Sequence, residues 1–261
     1  MQHFLKLLQD LARMAFVNFG HEFLRHNAEF IELAKEMLRE KQIIIYAIDP
    51  LMQNKIISGG WGGEIKQNEK DFILWADANL GALKTDLVME RELVYSLAPT
   101  TSGKFTAKVS MKYKHTGGFD WRTTRYRNYV QLFLPLDSEL IKVDGAMRYE
   151  KSKEPAIISQ GEENGKKWFG TFISIEPGQT GELSFEYYLS PQVVKMIENG
   201  EYELLVQKQI GTVEHKLTLN LDFGKNIIAA DVAEKPENFG DSSYKVSTDL
   251  RLDRVFKVKL D

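Results

Sequence analysis

Three oxygen-bearing side chains lie close together in the sequence, at Asp77, Asn79 and Asp86, and these residue types hold hard cations such as calcium. The stretch that begins at Asp77 resembles the start of a calcium loop. However, Ala82 and Val88 stand where such a loop needs glycine and glutamate, so the spacing excludes it. The pattern favours an Asx-type turn between two strands, with a different oxygen-ligand site at the same three residues as the alternative. We predict no metal centre.

Residues 104–127 form a basic stretch in which seven lysines and arginines face a single acid, Asp120, for a local charge of +6. Aromatic residues lie among these cations, and that combination suits anionic polymers. The candidate binding residues are Lys108, Lys112, Lys114, Trp121, Arg122, Arg125 and Arg127. The alternative is that the lysines line the wet face of one strand and the arginines flank the next strand. Because the whole chain has a formal charge of only -3, the sequence favours an anionic surface glycan over nucleic acid.

Other motif-like segments do not indicate a reaction. His21 and His26 lie five residues apart, one more than the zincin spacing, and are interpreted as part of a connection between helices. The glycine-rich segment around Trp61 lacks the residues of a phosphate loop and is interpreted as close backbone packing. No serine lies in a nucleophile elbow, and the carboxylates are too dispersed to single out a pair. We therefore predict no catalytic residue and no cofactor.

Composition excludes several classes of protein. The chain has 261 residues, of which 43% are hydrophobic, so it is not predicted to be disordered. It has no cysteine, which excludes disulfide scaffolds and thiolate metal sites. The apolar segment from Phe4 to Phe19 is interrupted by charges and is predicted to be a helix, not a signal peptide or a membrane span.

The hydrophobic period changes along the chain. A second helix is predicted with Asn27 as its N-cap, followed by a buried strand over residues 42–48. Asp49 and Pro50 then predict the start of a short helix that ends at residues 58–60. From Asp71 onward alternating patterns predict about ten strands, with two more in the tail. The clearest alternations are residues 104–114, 182–189 and 213–223, and the tail pair spans residues 244–260.

Several short blocks together resemble a bacterial family, the domain-of-unknown-function family 4012. The blocks are IYAIDP (45–50), GWGGEI (60–65), ADANLG (76–81), YKHT (113–116), YRNY (126–129), EPG (176–178), LLVQKQ (204–209) and DLRLD (249–253). The resemblance extends from about residue 43 to the end of the chain. One departure is Ile210, where the family is expected to prefer proline, and this alters a turn without affecting any chemistry.

The resemblance implies a protein of the bacterial cell envelope, on its extracytoplasmic side. Members of the family often carry an N-terminal membrane anchor, and their upstream half distantly resembles the LytR–CpsA–Psr enzymes that attach glycopolymers to the wall. That half is expected to be missing here, so the membrane would be reached only through an upstream anchor. The implied partners are an anionic cell-surface glycan or an envelope protein. The family supplies no catalytic residue to transfer to this chain.

We expect an α+β fold, with N-terminal helices followed by a mainly antiparallel immunoglobulin-like β-sandwich. The expected division is a helix-rich piece over residues 1–85, the end of an upstream domain, and a sandwich domain over residues 86–261. We expect the chain to be a non-catalytic envelope module that binds or presents another molecule and does not catalyse a reaction. Two alternatives stay open: the accessory half of a glycopolymer-transfer enzyme, and a structural spacer without a ligand.

Overall fold

A computed structural model describes residues 21–81, 83–235 and 240–261. The chain divides between Gly63 and Glu64 into two compact units, which we call the helical unit and the strand unit. This division lies before the boundary expected at residue 85, because residues 71–79 form a strand of the larger unit. None of the helices among the described residues is long and apolar enough to cross a membrane.

The helical unit contains helix α1 (His21–Arg39) and helix α2 (Pro50–Ser58). The predicted start of α2 is confirmed, because the Asp49 carboxylate accepts the Met52 N–H at 2.8 Å and proline occupies the first turn. The N-cap predicted at Asn27 is wrong, since that residue lies inside α1. The predicted first helix, Phe4 to Phe19, lies outside the described residues.

The buried strand predicted over residues 42–48 is also wrong. These residues have no regular structure, and Ile44, Ile45 and Tyr46 are exposed. Their backbone donors take irregular partners: the Ile45 N–H donates to the Trp61 carbonyl at 2.9 Å. An apolar run forms a strand only where a neighbouring strand can take its hydrogen bonds, and no strand of the described residues pairs with this run.

The described part of the strand unit contains thirteen strands, one 3₁₀ turn and one helix. The strands are β1 (Asp71–Asn79), β2 (Met89–Pro99), β3 (Phe105–His115), β4 (Tyr126–Pro135), β5 (Glu139–Asp144), β6 (Ser159–Glu163), β7 (Lys166–Ile175), β8 (Thr180–Tyr188), β9 (Glu201–Gln207), β10 (Lys216–Asp222), β11 (Ile227–Asp231), β12 (Ser243–Asp249) and β13 (Arg254–Leu260). The 3₁₀ turn is Thr85–Val88 and the helix, α3, is Pro191–Glu198. The predicted alternation in β3 and the two tail strands are confirmed.

The strands form two sheets. Sheet I has the order β11-β13-β9-β1-β4-β7-β6, and sheet II has the order β12-β10-β2-β3-β8-β5. Each sheet is mixed, because β1 runs parallel to β9 and β2 runs parallel to β10. The expected α+β fold with an antiparallel immunoglobulin-like sandwich is therefore wrong: the chain is mostly β and its sheets are mixed. Period-two alternation is the same in parallel and antiparallel strands, so the sequence pattern could not reveal these pairings.

One apolar core lies between the two sheets. Alternate residues of β3 point inward, including Val109, Met111 and Tyr113, and meet inward residues of sheet I such as Ile73 and Leu132. Burying each large apolar side chain contributes roughly 1.5–3 kcal/mol, so this core is the main source of stability.

A smaller apolar cluster lies on the outer face of sheet I. It consists of Phe72, Leu74, Phe133 and Leu205, with Ile65 and Trp168 packed against it. Residues 64–70, which we call the crossing segment, bond to this face: the Gln207 amide donates to the Glu64 carbonyl at 3.0 Å. The crossing segment therefore belongs to the strand unit's own packing.

Candidate functional site

The three predicted oxygen ligands do come together, but the cation between them is a side chain. The Arg91 guanidinium donates to Asp77 Oδ2 at 2.9 Å and to Asp86 Oδ1 at 2.6 Å. Asn79 Nδ2 donates to Asp86 Oδ2 at 2.9 Å, and Asn79 Oδ1 accepts the Gly81 N–H in an Asx-type turn. Within the described residues, no group of three or more His, Cys, Asp or Glu side chains is placed to hold a metal ion.

Asp77 is almost completely enclosed. The exposed fraction of its side chain is 2%, and that of Arg91 is 6%. Asp77 Oδ1 accepts the Tyr113 hydroxyl at 2.7 Å, the Asn128 amide at 2.7 Å and the Trp75 indole N–H at 2.9 Å. A buried carboxylate that accepts four bonds, one of them from a guanidinium, has its acceptor capacity filled.

The chemistry of this network is that of a structural ion pair. Burial alone would lower the pKa of Arg91, but the charge of Asp77 and the contacts with Tyr126 and Tyr113 together outweigh burial and raise it. Burial, followed by the charge of Asp77, raises the pKa of the Tyr113 and Tyr126 hydroxyls. A general base must itself have a pKa near the working pH, and the raised pKa values of Arg91, Tyr113 and Tyr126 exclude all three from that role. The arrangement ties sheet I to sheet II at the end where β1 stops and β2 starts.

The predicted basic residues do not form one patch, because they lie on opposite faces of the strand unit. Lys112 is next to the buried residues Met111 and Tyr113 on β3, so it points away from the core on the outer face of sheet II. Arg127 lies between the buried residues Tyr126 and Asn128 on β4, so it points out from sheet I. Because β3 and β4 belong to different sheets, the cations of the +6 stretch are divided between two outer faces and the loop that joins the two strands.

On the outer face of sheet II, lysines are paired with glutamates across the strands. Lys114 Nζ lies 2.9 Å from Glu90, and Lys112 Nζ lies 3.5 Å from Glu92. Lys108 is opposite Glu186 of β8. An open depression of about 760 Å³ on this face is also lined by Glu182, Glu214 and Lys216. The face therefore carries mixed charge, which does not favour a polyanion.

Arg125, directly before β4, and Arg127 of β4 are paired as well. Arg125 contacts Glu176 and Glu150, each at 2.6 Å, and Arg127 contacts Glu150 at 2.8 Å. The hydrogen bond from Arg127 lowers the pKa of Glu150, and the hydrogen bond from Arg125 lowers the pKa of Glu176. Both carboxylates are thus held in their charged form beside the arginines.

One end of the strand unit exposes large apolar side chains on two loops. The β1–β2 connection (residues 80–88) and the β3–β4 connection (residues 116–125) meet there, and the Lys84 N–H donates to the Arg122 carbonyl at 2.8 Å. The exposed apolar side chains of these loops are Leu80, Leu83, Leu87, Phe119 and Trp121. We call these five side chains the loop-end surface.

Of the predicted binding residues, Trp121, Arg122 and Arg125 lie on these loops. Trp121 is 82% exposed, and the Arg122 guanidinium stands 5.3 Å from the centre of its ring. The three leucines and Phe119 of the loop-end surface were not predicted, because exposure of an apolar loop residue depends on which other loop packs beside it. Their sequence signal is weak: Leu80, Leu83 and Leu87 lie where the strand pattern is interrupted.

The sequence pattern also missed a second buried carboxylate, Asp71. Its Oδ2 accepts the Tyr202 hydroxyl at 2.6 Å and the Tyr95 hydroxyl at 2.7 Å, and its Oδ1 accepts the Phe72 N–H at 2.9 Å. Burial raises the pKa of Asp71, and these bonds oppose the increase. The available signal was an acid directly before the apolar run from Phe72 to Trp75.

Comparisons with known proteins find only distant structural likeness. No protein-family model and no curated protein matches the chain. A provisionally assigned nutrient-binding protein from Legionella pneumophila is 7% identical, with a TM-score of 0.40 over 73% of this chain and 70% of that one. Leukotriene A4 hydrolase from Saccharomyces cerevisiae is 8% identical, with a TM-score of 0.37 over 70% of this chain and 32% of its own. An M1 zinc metallopeptidase from Deinococcus radiodurans is 9% identical, with a TM-score of 0.29 over 66% of this chain and 42% of its own.

Proposed function

We propose that this chain is a non-catalytic binding module of a bacterial envelope protein, working on the extracytoplasmic side, and that the loop-end surface is its binding surface. The observation that carries the proposal is the cluster of five exposed apolar side chains on two loops that are hydrogen-bonded to each other. The envelope setting rests on the resemblance of the sequence blocks to the domain-of-unknown-function family 4012.

The degree of exposure supports a binding role. Trp121 is 82% exposed, Leu87 75% and Phe119 65%, and they lie on neighbouring loops. Single exposed apolar residues are ordinary, whereas a group that includes tryptophan beside arginine is typical of binding surfaces. None of the five side chains belongs to the core between the sheets, so packing of that core does not explain their presence.

The distribution of charge argues against the sheet faces as the binding surface. The cations Lys112, Lys114, Arg125 and Arg127 each lie within 4 Å of a glutamate. A polyanion would have to displace these carboxylates before it gained any attraction. An anionic glycan bound along the basic stretch is therefore the weaker interpretation, and the two loops are the stronger one.

The test is sedimentation of the purified chain with isolated envelope, membrane plus wall, from the source bacterium. The loop variant carries Leu87→Ser, Phe119→Ser and Trp121→Ser, and the sheet-face variant carries Lys108→Glu and Lys112→Glu. We expect the wild type and the sheet-face variant to sediment with the envelope and the loop variant to stay in solution. Loss of binding in the sheet-face variant alone would favour the glycan interpretation, and no binding by the wild type would favour a structural spacer.

A further inference from the structure

We infer that residues 43–48 of the helical unit, which we call the apolar run, pair as a β-strand with the same residues of a second copy of this chain. The apolar run has the composition of a strand, Ile-Ile-Ile-Tyr-Ala-Ile, yet no strand of the described residues pairs with it. A partner has to supply both backbone hydrogen bonds and apolar cover. The apolar run belongs to the helical unit, so this inference does not depend on the loop-end surface.

One edge of the apolar run is already bonded within the helical unit. The Ile45 N–H donates to the Trp61 carbonyl at 2.9 Å. Two residues later, the Ala47 N–H donates to Gln53 Oε1 at 2.8 Å. Donation from every second residue is the pattern of an extended chain, in which successive residues point their N–H groups to opposite sides. The N–H groups of residues 44, 46 and 48 therefore point to the other side.

The opposite edge has no partner. Within the described part of the chain, no hydrogen bond involves the backbone N–H or C=O groups of Ile44, Tyr46 and Ile48. We call these backbone groups the free edge. In an extended chain the N–H and C=O of one residue point to the same side, so the free edge offers donors and acceptors at strand spacing. Natural edge strands are often protected by charges or proline, and residues 42–48 contain neither.

The side chains of the free-edge residues are apolar and exposed. The exposed fraction is 90% for Ile48, 79% for Tyr46 and 48% for Ile44. Aromatic and β-branched residues that face each other across two strands stabilise a sheet. Strand addition would therefore cover these side chains and pair the free backbone groups in one step.

The sequence of the free edge is self-complementary. An antiparallel register centred on Tyr46 places Ile44 of each copy opposite Ile48 of the other, and the two Tyr46 residues opposite each other. Each free N–H then meets a free C=O of the second copy. A second copy of the chain thus satisfies every group of the free edge without any change in the apolar run.

The charges at the two ends of the apolar run favour the antiparallel direction. Lys41, which is buried, precedes the run, and Asp49, which is exposed, follows it. Antiparallel pairing brings the basic end of each copy to the acidic end of the other, whereas parallel pairing would bring like charges together. Because Trp61 and Gln53 occupy the other edge, the association stops at a dimer.

Sedimentation velocity of the full chain over a range of concentrations measures this association. We expect an equilibrium between monomer and dimer without larger species. The edge variant, Ile44→Lys with Ile48→Lys, should raise the dissociation constant about a hundredfold, because lysine on a strand edge opposes pairing. The matched control, Leu51→Lys with Ile57→Lys, changes two exposed apolar residues of α2 and should dimerise like the wild type.

Introduced cysteines test the register, since the chain has none of its own. Tyr46→Cys should form a disulfide between copies on oxidation with copper phenanthroline, because directly opposite residues have Cα atoms about 5.5 Å apart. Ile44→Cys alone should not cross-link, because the two copies of this residue would lie four positions apart along the strands, about 13 Å. Ile44→Cys combined with Ile48→Cys should cross-link again.

A wild type that stays monomeric at every concentration would overturn the inference. So would an edge variant that dimerises as strongly as the wild type, or species larger than a dimer. Loss of the dimer in the control variant would place the contact on α2 and would also overturn it. Equal cross-linking of Tyr46→Cys and Ile44→Cys would contradict the register and with it the strand pair. Thermal unfolding of each variant at a concentration where the wild type is monomeric shows that the differences are not due to misfolding.

Discussion

At the scale of single residues, the group around Asp71 shows how a buried carboxylate is held. The hydroxyls of Tyr95 and Tyr202 donate to it, whereas the hydroxyl of Tyr187, equally buried and close by, has no hydrogen-bond partner among the described residues. A buried hydrogen bond contributes about 1 kcal/mol net, and an unpaired polar group costs free energy. The hydroxyls of Tyr202 and Tyr187 therefore contribute differently to the free energy of unfolding.

This difference gives a paired prediction. Tyr202→Phe should lower the free energy of unfolding by about 1–2 kcal/mol, because it removes one of the donors to Asp71. Tyr187→Phe removes a hydroxyl without a partner and should leave stability unchanged or raise it. Urea unfolding of both variants at pH 7 measures the two values. Equal losses in the two variants would show that the cluster is not bonded in this way.

His215 gives a prediction about pH. It is buried, and its Nε2 has no hydrogen-bond partner in the part of the chain that the structure describes. Burial, followed by the charge of Arg91, lowers its pKa from 6.5 to about 4. Between pH 6.5 and pH 4 the unfolded chain binds a proton at this residue that the folded chain does not. The contribution of neutral His215 to the free energy of unfolding is therefore fully present above pH 6.5. It falls by about 3 kcal/mol in total as the pH decreases towards 4.

The replacement His215→Leu removes this proton linkage. The variant should lose about 3 kcal/mol less than the wild type between pH 7 and pH 4, because other titrating groups contribute equally to both proteins. Urea unfolding at pH 7, 5.5 and 4 supplies the comparison. Parallel losses in the two proteins would mean that His215 is protonated normally in the folded state.

At the scale of elements, local sequence patterns predict individual helices and strands better than they predict which strands pair with each other. The alternation of β3 and the Asp49 cap of α2 follow from the nearest neighbours in sequence, and both are present in the structure. The pairing of β1 with β9 joins Asp71 to Leu204, and no local pattern encodes such a distant partner. The same limit applies to the candidate site, since the outward direction of Lys112 was predictable and its partner Glu92 on β2 was not.

The edge strand β5 depends on a glycine. Gly145 follows β5 with φ +84°, and a Cβ on it would lie 1.9 Å from the Glu182 carbonyl oxygen of β8. Gly145→Ala must therefore push β5 away from β8, and we expect it to lower the free energy of unfolding by about 3 kcal/mol. Gly103→Ala is the matched control, because Gly103 has φ +80° but no atom near its Cβ position.

The control should cost only the backbone strain of a left-handed residue, about 1 kcal/mol. Thermal unfolding of both variants, with amide hydrogen exchange of β5, separates the two effects. Rapid exchange in β5 should appear in Gly145→Ala only. If the two variants behave alike, contact with β8 does not constrain this position.

At the scale of the whole molecule, mixed sheets bring together parts of the chain that are far apart in sequence. Because β10 runs parallel to β2 and β9 runs parallel to β1, the loops before β2 and β10 and after β1 and β9 lie at the same end. That end also holds the ion pair of Asp77 with Arg91 just beneath the loops. The strand unit therefore presents its exposed apolar loops on a base that is cross-linked by buried hydrogen bonds.

The crossing segment supplies the hydrogen-bond acceptors of a buried lysine, Lys166. Lys166 is almost completely buried, its ammonium lies 4.5 Å from the centre of the Phe72 ring, and burial lowers its pKa. Its Nζ donates to Asn68 at 2.9 Å (carbonyl) and 2.7 Å (Oδ1). Without residues 64–70 this ammonium would lose both acceptors, and the outer cluster around Phe72 would be uncovered.

Truncation tests whether these seven residues belong to the folding unit. Every buried residue of the two apolar clusters lies at Phe72 or later, so a fragment of residues 64–261 should fold with a single cooperative transition. A fragment of residues 71–261 should be less stable by about 4 kcal/mol, from the lost contacts of the outer cluster and the unpaired ammonium. Urea unfolding of both fragments measures the difference.

Lys166→Met separates the two contributions to that loss. In the 71–261 fragment it should recover about 1–3 kcal/mol, because methionine keeps the contact with Phe72 and removes the unpaired charge. In the 64–261 fragment the same change should destabilise, because it breaks the bonds to Asn68. Opposite signs in the two fragments would show that the crossing segment supplies the acceptors for a buried lysine. The same sign in both fragments would mean that the crossing segment covers the sheet but does not supply the acceptors that the Lys166 ammonium needs. Equal stability of the two unmodified fragments would show that the crossing segment is not part of the folding unit.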